Sequence, residues 1–171
     1  MPDPALLFVG ILWTDETARA DAVTRLTAQY GGVVSATPDE TFLWPEYYKP
    51  EMGDGIMRKY MFLDKLLPRD ELADVKIVTN ALEDNLRKKS GREGRPVNID
   101  PGYLSLENLV LATTKARPHR ICLRDGIYAE STLGYVNGAY RPWPWTYPDY
   151  ARPILQPFFS LARKALKRML G

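Results

Sequence analysis

The residues best equipped for chemistry sit in the second half of the chain. The run Asn98-Ile99-Asp100-Pro101-Gly102-Tyr103 reads as a strand end, a tight turn and the approach to a helix starting at Ser105. Such a junction aims free N–H groups and the positive end of a helix dipole into one spot, as anion binding requires. There Asn98 and Asp100 would hold a hydroxyl or a magnesium-bound water. The same letters also spell plain turn chemistry, with Asp first, Pro next and Gly after. Lys115, Arg117, His119 and Arg120 form a basic cluster suited to neutralising a phosphate, with His119 as general acid or base. With no nucleophile or orienting acid beside it, the cluster equally reads as a solvated loop leading into a strand. Glu130 shares a strand face with Tyr128 and Thr132. In a pocket it would serve as an acid or base; open to water it is an ordinary surface carboxylate.

Arg58 follows the irregular stretch Tyr47–Gly55 and suits the clamping of a carboxylate or phosphate. Its plainer reading is an ion pair with Glu46, Glu51 or Asp54. Pro142–Tyr150 (PWPWTYPDY) is a proline-stiffened aromatic strap that can be neither regular helix nor central strand. Trp145 and Tyr147 in it, together with Trp44-Pro45-Glu46-Tyr47-Tyr48, would line a stacking pocket for a planar ligand or pack as a lid on the core. No G-x-x-x-x-G-K-[ST] and no G-x-G-x-x-G occurs in the chain, so neither a P-loop nor a Rossmann dinucleotide site is indicated. One Cys and one His rule out a Cys/His zinc site within a single chain, and no metal site is expected. Cys122, inside a strand, reads as a small buried hydrophobe.

These groups need elements to hold them. Ala5–Trp13 is continuously apolar and predicts a strand buried on both faces. Asp15–Tyr30 predicts a helix with Ala18, Ala22, Leu26 and Tyr30 on its inner face, stopped by Gly31-Gly32. Short strands follow at 33–35 and 41–44, then one at Arg58–Leu63. Pro68 opens a second helix with Leu72, Val75, Thr79, Leu82 and Leu86 inward and a Glu83–Arg87 pair outward, ended by Ser90-Gly91. After a strand at 95–99, Ser105 caps a short third helix to about Thr113. Asp125-Gly126 and Asn137-Gly138 both favour type I′ turns and bracket a three-strand meander. This order predicts an α+β fold, a ferredoxin-like βαββαβ core in residues 1–150 extended by an antiparallel β-meander.

Apolar content of 45% and charged content of 26% are ordinary for one globular domain of 171 residues. Residues 151–171 carry five basic residues and no acid, leaving 18 basic against 21 acidic residues before them. A mildly acidic body with a basic tail argues against a body-wide nucleic-acid surface. In the tail, Phe158, Ala162, Ala165, Leu166, Met169 and Leu170 fall largely on one helical face, with Arg163, Lys164, Lys167 and Arg168 opposite. Residues 157–170 therefore suit an anionic membrane or a partner's groove, or a terminal helix docked on its own domain. The N-terminus shows no positive n-region, and the first apolar run is too short to span a membrane. The expected location is the cytoplasm.

Several blocks in order carry a likeness to a known family. They are Glu46–Gly53, Arg58, Thr79-Asn80, Val97–Leu104, Leu109–Lys115, His119-Arg120, Asp125–Glu130 and Trp145–Tyr150. Over about residues 4–150 the chain resembles the bacterial and archaeal domain of unknown function 4416 family, whose members are sometimes labelled GTP-binding proteins. The resemblance implies no established activity or cofactor. Polar residues in the matching blocks gather at turns and strand ends, where sites form. One pocket is therefore expected from Arg58, Asn80, Asn98, Asp100, Lys115, His119 and Glu130, roofed by Trp145 and Tyr147. It would take a small phosphorylated ligand. The alternative is a non-enzymatic adaptor working through the basic helix.

Overall fold

The computed structural model describes residues 2–171. In chain order the elements are β1 (Ala5–Trp13), α1 (Glu16–Tyr30), β2 (Val33–Ala36), β3 (Glu40–Thr41), α2 (Lys49–Met52), β4 (Met57–Leu67) and α3 (Leu72–Ser90). There follow β5 (Val97–Leu104), β6 (Asn108–Thr113), β7 (Ile121–Arg124), β8 (Ile127–Val136), β9 (Ala139–Pro142) and α4 (Gln156–Leu170). The nine strands form one sheet in the order β2-β4-β1-β5-β6-β8-β7, with β3 beside β4 and β9 beside β8. Every pairing is antiparallel. The fold is α+β.

All nine residues of β1 are buried, because both faces of the sheet are covered. On one face Leu7, Val9, Ile11 and Trp13 meet α1 through Ala18, Ala22 and Leu26, and α3 through Val75 and Leu86. Asp15 caps α1 by accepting the Ala18 N–H at 2.8 Å, and Gly91 ends α3 in the left-handed conformation. On the other face Leu6, Phe8, Tyr60, Phe62 and Leu104 lie against Phe159, Ala162 and Leu166 of α4. The basic C-terminal helix is thus a third layer of the fold. Its fully buried Phe159 and Leu166 each stabilise it by roughly 1.5–3 kcal/mol. Its inward face is Phe159, Ala162, Ala165 and Leu166, while Met169 is exposed.

Several local expectations change. The expected helix after Ser105 is β6. Ser105 Oγ accepts the N–H groups of Glu107 and Asn108 at 3.1 and 3.0 Å and so closes the tight turn from β5 into β6. A serine that bonds the backbone two or three residues on serves a turn as readily as a helix cap. Leu109–Ala112 is then buried on both sides, as a central strand requires. Asp100-Pro101-Gly102 is accordingly no turn but the middle of β5. The two predicted hairpins are present, with positive φ at Asp125, Gly126, Asn137 and Gly138. A bulge at Thr132, where Leu109 pairs with Leu133 and Val110 with Ser131, reverses the alternation of β8 and brings Leu133 to the α4 face. Glu83 is buried rather than facing outward. Cys122 lies in β7 and is exposed, because β7 is an edge strand whose four residues are all exposed.

Candidate functional site

The site originates in a parting of two strands. β5 pairs with β6 only through Gly102, Tyr103 and Leu104. Gly102 is needed at the point of divergence, where a Cβ would stand 2.3 Å from the Val110 carbonyl oxygen. Beyond it, toward Val97, the β5 edge has no strand partner, and α3 takes over its hydrogen bonds. The Glu83 carboxylate accepts the Ile99 N–H at 2.6 Å, and Lys76 Nζ donates to the Ile99 carbonyl at 3.0 Å. Pro101, two residues on along the same edge, has no N–H to leave unpaired. The gap opens into a cavity of about 590 Å³.

Three other segments complete the walls. Phe42, Trp44, Tyr47 and Tyr48 come from the stretch between β3 and α2, Thr113 to Lys115 from the end of β6, and Tyr147 to Tyr150 from the aromatic strap. Of the residues expected at one site, Arg58, Asn80, Asn98, Asp100, Lys115, Glu130 and Tyr147 all line this cavity. His119 and Trp145 stand just outside it. His119 Nε2 lies 2.9 Å from Glu130 Oε2, and its ring stacks on Trp145 at 5.3 Å between centroids. Trp145 does not roof the cavity. Its Nε1 donates to the Ser131 carbonyl, and Thr146 Oγ1 donates to that of Thr132, within the stretch of β8 that neither β7 nor β9 pairs. The strap therefore completes an interrupted sheet edge with its Trp end and walls the pocket with its Tyr end.

The anion cradle expected at Asp100 is absent, since no helix begins there. Asp100 accepts from Asn98 Nδ2 at 2.8 Å and faces Lys76 Nζ at 3.8 Å. The charge of Asp100, with burial, pushes the Tyr48 hydroxyl well above its ordinary pKa. Arg58 is not paired with Glu46, Glu51 or Asp54. It donates from Nη1 to Asp149 and to the Tyr60 hydroxyl, and lies 4.5 Å from the ring centres of both Phe42 and Tyr60. Burial opposes its charge, but the oxygens of Tyr60, Tyr150 and Asp149 outweigh that and hold its pKa above the usual guanidinium value. Arg95 bridges Glu51, Glu83 and Asn98. Burial raises the Glu83 pKa. The buried Glu130 carboxylate accepts Arg120 Nε–H at 2.7 Å as well as facing His119. Lys115 differs from all of these. No carboxylate pairs with it among the described residues, and its ammonium rests 4.0 Å over the Tyr47 ring. Burial and the charges of Arg120 and Arg117 lower its pKa.

Sequence reasoning missed Lys76 and Arg95 as members of the site, and placed Tyr48 and Asp149 there only as parts of the two aromatic segments, without their charged partners. Lys76 and Glu83 left a readable signal, because they fall on the same buried stripe of α3 as Leu72, Thr79 and Leu86. Asp149 left none, since its partner lies 91 residues away. Among the described residues, no group of three or more His, Cys, Asp or Glu is placed to hold a metal ion, and no helix is long and apolar enough to cross a membrane.

The fold and site define an α+β protein with a single antiparallel sheet, covered on both faces and split to form one polar, aromatic-walled pocket. The chain belongs to the family described as a domain of unknown function, DUF4416, whose model matches residues 3–166. The match runs past Tyr150, where the resemblance in the sequence had stopped, and takes in most of α4, in keeping with that helix's place in the core. No curated protein and no solved structure matches the chain.

Proposed function

We propose that this chain is a cytoplasmic small-molecule-binding domain whose ligand, a phosphorylated metabolite, occupies the cavity between β5 and β6. One observation carries the reading. Seven polar or aromatic residues from positions 58 to 147 line one cavity of about 590 Å³, a size suited to a metabolite. The order β2-β4-β1-β5 with α1 and α3 on one face supports taking that part as a ferredoxin-like core, to which β6 to β9 add an extension. The pocket then lies at the seam between core and extension.

Chemistry beyond binding rests on Glu130, a buried carboxylate on the cavity wall with His119 beside it. His119, outside the cavity, would serve Glu130 as a route for protons rather than touch the ligand. The adaptor alternative draws less support, because most of the apolar face of α4 is spent on the sheet, leaving its basic face with Leu161 and Met169 for a partner or a membrane. The test is a melting-temperature screen of the full chain against nucleotides, sugar phosphates, amino acids and carboxylic acids, with tyrosine and tryptophan fluorescence followed alongside. A shift with one chemical class supports a pocket ligand. A blank across all classes in both readouts overturns the reading.

A further inference from the structure

We propose that the pocket takes a phosphorylated polyhydroxy compound, with its phosphate on Lys115 at the mouth and its hydroxyl groups on Asn80 and Asp100 at the floor. This rests on reading the cavity as a ligand site and adds the ligand's class and orientation. The first observation is a charge ledger. Five cations line the cavity. Four have carboxylate partners: Arg58 has Asp149, Lys76 has Asp100, Arg95 has Glu51 and Glu83, and Arg120 has Glu130. Lys115 has none. Arg117, outside the lining, is also without a carboxylate partner among the described residues, and its charge and that of Arg120 bear on Lys115. Glu46, the lining acid that pairs with none of the five cations, is exposed. Over the whole lining five cations meet five carboxylates, Glu46, Glu51, Asp100, Glu130 and Asp149, so the imbalance is local to Lys115. A phosphate monoester, at about −1.5 to −2 at neutral pH, would bring Lys115 and the neighbouring Arg117 the counter-charge that neither finds in the protein's described residues.

The floor has the opposite character. Its charges already balance in the Lys76–Asp100 pair, which leaves neutral hydrogen-bonding groups: the Asn80 amide, without a partner among the described residues, and the Tyr48 and Tyr150 hydroxyls near Asp100. A second charge would find no counter-ion there, whereas hydroxyl groups both donate and accept. A nucleobase fits the walls less well than their aromatic content suggests. Arg58 covers one face of Phe42 and Lys115 one face of Tyr47, and Tyr48 meets both Phe42 and Tyr47 edge-on.

The probes are ribose 5-phosphate, glucose 6-phosphate and glycerol 3-phosphate, set against the unphosphorylated compounds, inorganic phosphate and adenosine. Binding to the full chain is read by calorimetry in wild type, Lys115→Gln, Asn80→Ala and, as a control on α4, Lys164→Gln. At least one phosphorylated polyol is expected to bind tenfold or more tighter than its unphosphorylated form and than inorganic phosphate. Lys115→Gln should remove that tenfold preference, Asn80→Ala should weaken the polyol phosphate but not inorganic phosphate, and Lys164→Gln should change neither. Lys115→Gln should fold with an unchanged or higher melting temperature, since the native environment disfavours that ammonium. Wild-type affinity in Lys115→Gln overturns the proposal and leaves the pocket reading standing. Tight binding of adenosine, or of some other unphosphorylated class, in place of polyol phosphates overturns the proposal and the phosphorylated part of the reading it rests on, and leaves only the pocket as a ligand site. A blank with every probe and in the wider screen removes both.

Discussion

Replacing Asp149 with Ala tests what holds the pocket wall in place. Asp149 and Arg58 are both almost fully buried, with side chains 7% and 4% exposed. Asp149 Oδ2 takes Arg58 Nη1–H, and the Tyr60 hydroxyl stands 3.2 Å from the same oxygen. Arg58 Nε is buried without a partner, so the guanidinium has little else to lean on. Removing the carboxylate leaves a buried cation with one neutral partner, the Tyr60 hydroxyl, and the rings of Phe42, Tyr60 and Tyr150. Breaking one side of a buried pair costs about 3–5 kcal/mol. For a domain of this length that is roughly 6–20 °C in melting temperature, at about 2–4 °C per kcal/mol.

The double variant Arg58→Met, Asp149→Leu should recover most of the loss, because a buried pair replaced by apolar residues of similar volume is often neutral. Urea unfolding of Arg58→Met, Asp149→Leu and the double variant forms the cycle that isolates the coupling. Acrylamide quenching of Trp143 and Trp145 should rise in Asp149→Ala alone, since the strap loses its deepest tether to β4. A loss below about 1 kcal/mol in Asp149→Ala, with an unchanged denaturant slope, would refute the reasoning.

Three further outcomes follow from the packing and charges. Phe159→Ala should cost about 3–5 kcal/mol by urea unfolding, and a chain ending at Tyr150 should fail to fold cooperatively, because α4 supplies Phe159, Ala162 and Leu166 to the core. Gly102→Ala should cost at least 1–3 kcal/mol as overpacking, its Cβ pressing on the Val110 carbonyl and on Leu111. Hydrogen bonds from Arg25 and Lys89 hold Asp21 at about 2 against an ordinary 3.8. Its folded pKa lies below its unfolded one, so its contribution is present above about pH 4 and fades as pH falls toward 2. Asp21→Asn should flatten that part of the acid-unfolding curve while costing under about 1 kcal/mol at neutral pH, as surface pairs do.

Much of the core was legible because its signals are local. The apolar run of β1, the four-residue spacing of Ala18, Ala22, Leu26 and Tyr30, and the Asp-Gly and Asn-Gly turns each carry their meaning within a few residues. β6 was not legible, because Ser105 followed by an apolar run suits a capped helix and a turn into a buried strand alike. Only the strands on either side decide. The bulge at Thr132 is likewise set by the partner strand. At the site, Arg58, Asn98 and Asp100 stood out by type, but their partners did not. Asp149 meets Arg58 from 91 positions along the chain, Glu83 was expected on the outer face of its helix, and Lys76 was not considered.

The split between β5 and β6 explains why this pocket carries so much charge yet offers so little of it to a ligand. An antiparallel sheet that opens must find new partners for the edge it exposes. Here α3 supplies Glu83 and Lys76 to Ile99, and each of those charges, once buried, needs a counter-charge of its own. Arg95 and Asp100 follow from that need, and Glu51 and Asn98 follow from them. The chain of pairings holds the split edge from end to end, and of its members only Asp100 is also proposed to meet the ligand. Substituting Glu83 or Lys76 should therefore open the sheet edge, visible as lost amide-exchange protection at Ile99, and with it abolish the binding proposed for the pocket. Lys115 and Asn80, outside that chain, are the positions where binding can change while the fold stays intact.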